Sequence, residues 1–435
     1  MRKVIVSSFL IVSIFLSTLL LIFGAVPYVK ATPTSTNVVD WWPMWRHDAR
    51  RSGYSTSTAP NTNHTRWTYS ARGWADPIAA DGMVFIAFNA DNATLALNVA
   101  TGQLIWRSPT PSAYVGGVAV AYDTVFVQCD AILYALDEYT GAQKWNSTDS
   151  HTGCPAVADG MVFINGPQKR ICCFNATTGA LKWSRPFGYT LYGQPAVADG
   201  MVFIDTWSEG KVYALEKFTG AIIWSSISLT PYLEAAPVVV NGKVYMGGGN
   251  GVIYVLDEYT GTLVKTYGPV GGYLNQGPVL AYGKLFVGTD DSDRRIYAID
   301  EASGAVVWSY YIGPPGSWGA LHEPKVADHK VFVTDMVGTG TLSKVYALNA
   351  DTGQLIWTFT GAASATGVAI ANGMVFVSVG NITYAFGPPP VGGIWVPVDK
   401  FGLLAPYIGL TSTIILLTVA TVVYIKRVKR RKEKQ

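Results

Sequence analysis

The sequence predicts an all-β chain folded as an eight-bladed β-propeller, with seven blades as the alternative. The first observation behind this prediction is a short unit that occurs eight times between residues 65 and 388. The second is that each unit alternates apolar runs with tight-turn pairs, as a four-stranded antiparallel sheet requires. The central apolar residue of the second strand recurs every 37 to 46 residues, the period of propeller blades, at Val84, Val125, Val162, Val202, Val244, Leu285, Val331 and Val375.

A segment typical of exported proteins precedes the repeats. Met1-Arg2-Lys3 is followed by an uncharged apolar run from Val4 to Phe23, and Val29-Lys30-Ala31 has small residues where a signal peptidase cuts. We expect residues 1–31 to be a cleaved signal peptide. An uncleaved anchor is the alternative, because about 20 apolar residues just span a bilayer.

Residues 32–64 are expected to form a lead-in to the propeller, which then occupies residues 65–388. The stretches 32–37 and 55–63 are rich in Ser, Thr and Pro and predict exposed linker and loop. Inside the repeats, Asp-Gly and Asn-Gly pairs predict tight hairpins between the first two strands, because these residues accept a positive φ. The pairs are Asp81-Gly82, Asp159-Gly160, Asp199-Gly200, Asn241-Gly242 and Asn372-Gly373.

The third strand, the turn after it and the outer strand share the pattern A-x-D-x-x-T-G-x-x-x-W, complete from Ala135 to Trp145. Its acidic side chain, Asp137, is expected to hold the turn by accepting hydrogen bonds from backbone N–H groups. The Trp is expected to pack its flat surface between neighbouring blades. The fifth unit has Lys265 in place of Trp, and near copies end at Trp106, Trp183, Trp224, Trp308 and Trp357.

This signature resembles the tryptophan-docking motif of the PQQ-like propeller repeats in quinoprotein dehydrogenases, over about residues 41–388. The segment from Trp42 to Tyr54 is similar to the lead-in found before many such propellers. The resemblance implies, as an alternative function, a membrane-bound PQQ-dependent dehydrogenase of alcohols or sugars. Such enzymes hold PQQ and Ca²⁺ on the propeller axis, use an aspartate base and often stack a disulfide between adjacent cysteines on the cofactor. The chain is also similar to the propeller lipoprotein of the bacterial barrel-assembly machinery, which implies a protein-docking scaffold.

Adjacent cysteines are present at Cys172 and Cys173, but they fall inside a predicted strand. Their side chains should therefore point to opposite faces of the sheet rather than stack as a vicinal disulfide on a cofactor. The metal and base residues of the dehydrogenases match no positions here, and the five histidines lack metal-ligand spacing. We assign no catalytic, cofactor-binding or metal-binding residue and predict no cofactor.

The eighth unit lacks its outer strand, because the repeat stops after Thr383-Tyr384-Ala385-Phe386. The early run Thr65-Arg66-Trp67-Thr68-Tyr69 has the composition of that missing strand. We expect it to complete the eighth sheet and so to close the ring, which protects the sheet edges.

Two further cysteines lie at corresponding ends of neighbouring strands. Cys129 ends a second strand and Cys154 begins the next inner strand, so a disulfide between them is one prediction and buried thiols are the other.

One mouth of the ring is expected to collect polar residues that precede or begin the inner strands. Carboxylates and a Trp converging there would suit a cation, a sugar or a peptide, whereas ordinary rim residues are the alternative. The candidates for a ligand rim are Trp74, Asp76, Gln194, Glu234, Asn275, His322 and Glu323.

The C-terminal end predicts a membrane anchor. Residues 389–400 are expected to be a Pro- and Gly-containing stalk, and the uncharged run 401–425 is long enough to cross a bilayer. The basic tail 426–435 predicts a cytoplasmic C-terminus and a propeller outside the cell membrane. Five N-x-Ser/Thr sequons fit a glycosylated surface protein; they begin at Asn63, Asn92, Asn146, Asn175 and Asn381.

Charge excludes one class of partner. The full chain carries a formal net charge of +3, but between the signal segment and the tail there are 28 acidic and 22 basic residues, a balance of −6. An acidic propeller disfavours nucleic acid, which needs a basic face. The sequence therefore predicts a single-pass surface propeller that acts as a non-enzymatic scaffold, with other surface or secreted proteins or a glycan as partners.

Overall fold

Eight sheets build the propeller in the computed structural model, and all their strand pairs are antiparallel except one added parallel strand in the seventh sheet. The structure describes residues 39–71, 75–88, 92–110, 115–147, 152–230, 233, 235–274, 276–290, 293–313, 321–335, 342–361 and 364–388. The predicted signal peptide, the predicted stalk, the predicted span and the tail lie outside these residues. Every regular element in the described ranges is a strand, and none of them contains a helix that could cross a membrane.

The first four blades each contain four consecutive strands, from the axis outward. Blade 1 is β3 (Ile78–Ala80), β4 (Met83–Phe88), β5 (Ala93–Asn98) and β6 (Leu104–Pro109). Blade 2 is β7 (Val115–Ala121), β8 (Thr124–Cys129), β9 (Ile132–Asp137) and β10 (Gln143–Ser147). Blade 3 is β11 (Thr152–Ala158), β12 (Met161–Gly166), β13 (Arg170–Asn175) and β14 (Leu181–Pro186). Blade 4 is β15 (Ala196–Ala198), β16 (Met201–Thr206), β17 (Lys211–Glu216) and β18 (Ile222–Ser225).

The last four blades follow the same order, and the final two receive extra strands from the N-terminal part of the chain. Blade 5 is β19 (Val238–Val240), β20 (Lys243–Gly247), β21 (Ile253–Asp257) and β22 (Leu263–Tyr267). Blade 6 is β23 (Val279–Ala281), β24 (Lys284–Gly288), β25 (Arg295–Asp300) and β26 (Val306–Tyr311). Blade 7 is β27 (Lys325–Ala327), β28 (Lys330–Thr334), β29 (Ser343–Asn349) and β30 (Leu355–Gly361), with β1 (Tyr54–Ser55) beside β27. Blade 8 is β31 (Ala369–Ala371), β32 (Met374–Val379) and β33 (Ile382–Phe386), with β2 (Thr65–Tyr69) outermost.

The ring closes as the sequence predicts, and the count of eight blades is confirmed. Strand β2 pairs antiparallel with β33, so a strand from the start of the repeats completes the last sheet. Trp67 on β2 then donates from Nε1 to the carbonyl of Val99 in blade 1 at 2.9 Å. The eighth sheet is thereby joined to the first by a non-local pairing and a buried indole.

Seven of the eight outer strands contact the next blade through a tryptophan, and blade 5 uses Lys265 and Tyr267 instead. Six of the Trp rings lie against the Gly of the neighbouring turn, where an added Cβ would overlap the ring. In six contacts the indole Nε1 donates to a backbone carbonyl of the next blade: Trp67 to Val99, Trp106 to Glu138, Trp145 to Ala176, Trp183 to Lys217, Trp224 to Glu258 and Trp308 to Ala350. In blade 7, Trp357 donates to the carbonyl of Pro60 in the lead-in.

The turns that receive these rings are held by the acidic or amide residue of the repeat. In blade 2 the Oδ1 atom of Asp137 accepts hydrogen bonds from the backbone N–H groups of Tyr139 and Thr140 and from the Thr140 hydroxyl. Gly141 has a φ of 71°, which a residue with a Cβ rarely adopts. The sequence pattern therefore encodes a rigid turn on which the neighbouring ring can rest.

The first hairpins use the Asp-Gly and Asn-Gly pairs as predicted. Asp199 and Gly200 both have positive φ, 43° and 84°, which matches the two central positions of a tight turn that follows the right-handed strand twist. These hairpins and the Gly-containing turns lie at the same end of the ring, here called the turn face. The opposite end, where the inner strands begin, is called the mouth.

Candidate functional site

The lead-in segment crosses the turn face and contacts all eight blades. Its backbone exchanges hydrogen bonds with five inner strands, those of blades 1, 2, 4, 5 and 7, through Trp42, Pro43, Ala49, Arg50 and Gly53. Blades 3 and 6 are reached by arginine side chains, and blade 8 by the Ser57 hydroxyl, which accepts from Gly373 N–H. The expectation of an exposed loop at 55–63 is wrong in part, since Ser55, Ala59 and Pro60 are buried. The cause is that this stretch replaces the missing turn of blade 8.

Two arginines of the lead-in are fully buried at the axis. The guanidinium of Arg46 donates to the carbonyls of Gly277 and Pro278 in blade 6, both at 2.8 Å. The guanidinium of Arg51 donates to the carbonyls of Cys154 at 3.0 Å and Pro195 at 2.9 Å, in blades 3 and 4. Burial lowers the pKa of each guanidinium to about 10. Both groups still carry a charge at neutral pH, and they donate hydrogen bonds to four carbonyls at the starts of three inner strands.

A buried ionic cluster lies beside these arginines, toward the mouth. Lys325 begins the inner strand of blade 7 and pairs with the carboxylate of Glu323, and its Nζ is 3.6 Å from the Oδ2 atom of Asp76. Burial alone would raise the pKa of Glu323, but Lys325, His322 and Arg46 lower it to about 2. Glu323 is therefore ionised, and the neighbouring Lys325 and Arg46 compensate its buried charge.

The described members of the predicted ligand rim are used to join blades. Asp76 accepts a hydrogen bond from the Gly367 N–H of blade 8 at 2.7 Å. Gln194 accepts from Cys154 N–H in blade 3 at 2.7 Å, and a His322 ring nitrogen is 3.1 Å from the Ala365 carbonyl in blade 8. Glu323 belongs to the ionic cluster, while Trp74, Glu234 and Asn275 lie outside the described residues. The structure thus brings four candidates to the mouth side and gives each of them a partner from the protein itself.

The cysteines do not match a cofactor platform. Cys172 and Cys173 are consecutive residues of β13 and pack into different clusters, the first toward blade 2 and the second toward blade 4. The alternation predicted for them is confirmed, and both are thiols. A disulfide stacked on a ring at the axis cannot be built from side chains that leave the sheet on opposite faces.

The predicted bond between Cys129 and Cys154 is absent from the structure. Both side chains are buried thiols, and the Cys154 Sγ lies 3.3 Å from the carbonyl oxygen of Gly116, to which it donates. Burial raises the pKa of the Cys154 thiol to about 12, so it remains protonated and unreactive at neutral pH.

A cavity of about 580 Å³ opens at the turn face between the lead-in and blade 5. Burial alone would lower the pKa of His47, but Asp40 and Asp48, bound to its two ring nitrogens, raise it to about 9. The resulting imidazolium has no lone pair to act as a base or to bind a metal. Ser52 is nearby, but its hydroxyl donates to Asp48 rather than to the histidine. The cavity therefore lacks the arrangement of a hydrolytic site.

No group of His, Cys, Asp and Glu within the described ranges could hold a metal ion. The charged residues at the axis are two arginines and a lysine with compensating carboxylates. This set differs from the oxygen ligands that a Ca²⁺ site requires. Among the residues described, the fit to PQQ with Ca²⁺ is poor.

The sequon asparagines are spread around the outside of the propeller. Asn63, Asn92, Asn146 and Asn381 are exposed. Asn175 is half-buried and its Oδ1 holds a turn by accepting from Thr177 and Thr178. Four of the five candidate positions are therefore accessible to a modifying enzyme.

Sequence reasoning missed Arg46, Arg51 and Lys325. A lysine at the start of an inner strand, where the other repeats place small or apolar residues, is a signal that was available for Lys325. For the arginines the sequence held no periodic signal, because their acceptors are carbonyls of blades more than a hundred residues away.

Comparison with known proteins agrees with this architecture. A family profile described as outer membrane protein assembly factor BamB matches residues 49–226, 130–267, 208–315 and 292–387, which together cover 49–387. The chain is 28% identical over 206 residues to the quinohemoprotein alcohol dehydrogenase ADH IIB of Pseudomonas putida, covering 41% of this chain and 28% of the enzyme. It is 28% identical over 178 residues to BamB of Yersinia pestis, covering 34% of this chain and 45% of that protein.

The matched part is less than half the length of either relative. Among solved structures, BamB from Moraxella catarrhalis superposes with a TM-score of 0.62 at 16% identity, covering 75% of this chain and 99% of that chain. That likeness concerns the fold.

Proposed function

Because this chain belongs to the PQQ-like propeller family described as outer membrane protein assembly factor BamB, we propose that it is a non-enzymatic, protein-docking scaffold. The main support for the proposal is the set of residues that fills the centre of the propeller. The chain's own Arg46, Arg51 and Lys325 occupy the central region, where the resemblance to quinoprotein dehydrogenases would place a cofactor. Their hydrogen bonds and ion pairs are made within the protein.

The proposal includes display outside a cell membrane. Residues 1–31 would direct export, residues 401–425 would anchor the chain and the basic tail would stay in the cytoplasm. We expect the full chain to float with membranes after carbonate extraction. We also expect protease added to intact cells to digest the propeller. A chain that is extracted by carbonate, or a propeller that is protected in intact cells, would contradict this topology.

The second candidate function is a PQQ-dependent dehydrogenase, and the similarity to ADH IIB favours it. One experiment distinguishes the two candidate functions: thermal unfolding and the absorption spectrum of the detergent-solubilised full chain are measured after incubation with PQQ and Ca²⁺. A ligand of the folded state must raise the midpoint of thermal unfolding by mass action. The scaffold proposal expects no shift and no bound-quinone spectrum. A clear upward shift with such a spectrum would overturn it in favour of the enzyme.

A further inference from the structure

The outer strands differ around the ring at the pair of residues where each strand leaves the turn face. In blades 4, 5 and 6 both residues of the pair are exposed aliphatics: Ile222-Ile223, Leu263-Val264 and Val306-Val307, with exposed fractions from 41% to 57%. In blades 2 and 8 the corresponding pairs are polar, Gln143-Lys144 and Thr65-Arg66. Three neighbouring blades therefore expose two aliphatic residues in the pair, whereas in blades 1, 3 and 7 only the first residue is an exposed aliphatic, a leucine.

Contacts between blades join the outer strands of blades 4 and 5 to the turn of the next blade. Trp224 follows Ile222-Ile223 and rests on the blade 5 turn that carries Tyr259, which is 58% exposed. Phe218, 60% exposed, occupies the same turn position in blade 4. In turn, Lys265 of blade 5 donates to the blade 6 turn that precedes Val306. We call the six aliphatic residues together with Phe218 and Tyr259 the apolar rim.

The backbone of the apolar rim is unsuited to strand addition. Leu215 pairs with Ile222 and Ala214 pairs with Trp224, so Ile223 is the extra residue of a β-bulge. Val264 and Val307 are the extra residues at the same place in blades 5 and 6. A bulge interrupts the row of hydrogen-bonding groups and twists the edge, which is how proteins discourage edge pairing. A partner must therefore contact side chains rather than extend a sheet.

The border of the apolar rim is acidic. Glu216, Asp257 and Asp300 lie in the turns that lead into its three strands, and hydrogen bonds from Thr219, Thr260 and Ser303 respectively lower the pKa of each carboxyl. They remain ionised at neutral pH. The lysines closest in sequence are engaged, Lys217 with Asp159 and Lys265 with the carbonyls of Glu301 and Ala302. Charge complementarity thus calls for a basic partner.

We propose that the apolar rim is the docking surface for a protein segment that presents aliphatic or aromatic side chains flanked by Lys or Arg. Exposed contiguous apolar patches on soluble domains mark such interfaces. An amphipathic helix with this composition satisfies its own backbone hydrogen bonds and meets the bulged edges through its side chains. This inference rests on the proposed scaffold function and assigns that function a surface and a class of partner.

A matched pair of variants tests the surface on the full chain. The triple variant Ile222→Ser, Leu263→Ser and Val306→Ser removes the first aliphatic of each rim strand. The control Leu104→Ser, Leu181→Ser and Leu355→Ser changes the same strand position in blades 1, 3 and 7, where exposure is similar, 43% to 51%. Both triples should leave the thermal midpoint within about 2 °C, because exposed substitutions rarely change stability.

The probe is a fluorescent amphipathic helix with a Leu face and Lys flanks, compared with the same helix carrying Glu flanks. We expect at least a tenfold loss of affinity for the Lys helix in the rim triple, less than a twofold change in the control triple, and at least tenfold weaker binding of the Glu helix. Equal loss in both triples, or equal binding of both helices, would overturn the proposal. The proposal would also be overturned if sedimentation showed a dimer that the rim triple abolishes. The same holds if the apolar rim bound phosphatidylcholine vesicles and not the helix.

Photocrosslinking in the native cell separates this inference from the scaffold function. A benzoylphenylalanine at Val264 should give an adduct with a second protein, while one at Leu104 should not. Adducts at Leu104 but not at Val264 would leave the scaffold function standing and overturn the apolar rim. The absence of adducts at every exposed position around the ring would contradict the scaffold function itself.

Discussion

Two neighbouring contacts between blades both supply a hydrogen bond to the equivalent backbone carbonyl of the next blade, but different side chains donate it. Between blades 4 and 5, the buried Trp224 donates to the Glu258 carbonyl at 2.9 Å and covers Gly261. Between blades 5 and 6, Lys265 donates to the Glu301 carbonyl at 3.0 Å and Tyr267 donates to it at 2.7 Å. The Lys265 ammonium also lies 4.4 Å from the centre of the Tyr267 ring.

This difference shows which part of the contact the ring geometry requires. Both contacts supply a donor to the carbonyl of the residue after the turn acid, and that carbonyl would otherwise be left without its hydrogen bond. The large apolar surface is optional, because blade 5 replaces it with a cation and a phenol. The tryptophan contact should therefore depend mainly on buried area, and the lysine contact on hydrogen bonds.

The largest expected effect comes from truncating the two donors. Trp224→Ala should lower the free energy of unfolding by about 4 kcal/mol, because it removes a large buried ring and leaves a cavity. Lys265→Ala should cost about 1 kcal/mol, since Tyr267 still donates to the same carbonyl. Urea denaturation of the full chain in detergent measures both. Equal losses would mean that the two contacts do not differ in the way described.

The turn glycine that each contact covers provides a second test of the difference between the tryptophan and lysine contacts. A Cβ at Gly261 would overlap the Trp224 ring, whereas a Cβ at Gly304 would lie 3.4 Å from Tyr267. Both residues have positive φ, 70° and 78°, which costs about 1 kcal/mol for alanine in either case. Displacing the indole should add about 2 kcal/mol at Gly261 alone. Unfolding midpoints of Gly261→Ala and Gly304→Ala should therefore differ, and coinciding midpoints would refute the packing argument.

A pH effect should distinguish the tryptophan contact further. Burial, together with the Asp199 carboxylate, raises the pKa of Glu258 from 4.5 to about 7. A carboxyl whose pKa rises on folding costs stability as the pH increases from 4.5 through 7, because the folded state must then lose a proton that it holds more tightly. Glu258→Gln should stabilise the protein at pH 8 by on the order of 2 kcal/mol and have little effect at pH 4.5.

Glu216→Gln is the control with the opposite sign. A hydrogen bond from Thr219 lowers the pKa of this carboxyl, so its contribution is present at neutral pH and is lost as the pH falls below 4.5. At pH 8 the thermal midpoint should therefore rise for Glu258→Gln and fall for Glu216→Gln, while Glu258→Gln should stay close to the parent protein at pH 4.5. The same direction in both at pH 8 would contradict the account of Glu258.

The smallest expected effect is that of Tyr245→Phe. Tyr245 occupies the position that other blades give to Phe, and its hydroxyl donates to Glu301 Oε1 at 3.2 Å. Removing the hydroxyl should cost about 0.5 kcal/mol, because one long hydrogen bond between blades 5 and 6 is lost. A gain in stability from this return to the common residue would show that the hydroxyl contributes nothing.

The sequence predicts the blades because their determinants are local. An Asp-Gly pair sets a hairpin from two residues, and Asp137 holds its turn within three residues, so these elements can be identified without tertiary information. The closing strand β2 was also predictable, since the last repeat lacks a strand and a matching run precedes the first.

The candidate site was predicted less well. Asp76 and Gln194 do lie near the beginning of inner strands, but their hydrogen bonds to Gly367 and Cys154 join adjacent blades, and a single repeat does not reveal how the next blade packs against it. The apolar rim was missed because a single repeat with Ile222-Ile223 resembles an ordinary strand, and its meaning appears only when three adjacent blades are compared.

The lead-in has a consequence for the order of events during synthesis. Arg46 and Arg51 leave the ribosome before any blade, yet their acceptors in blades 3, 4 and 6 are made later, and β2 must wait for β33 at the end of the repeats. Domains fold as units during synthesis at about 5–20 residues per second. The lead-in is made before the blades but is among the last segments to reach its final position, so the nascent propeller remains an open ring until its final blade has emerged.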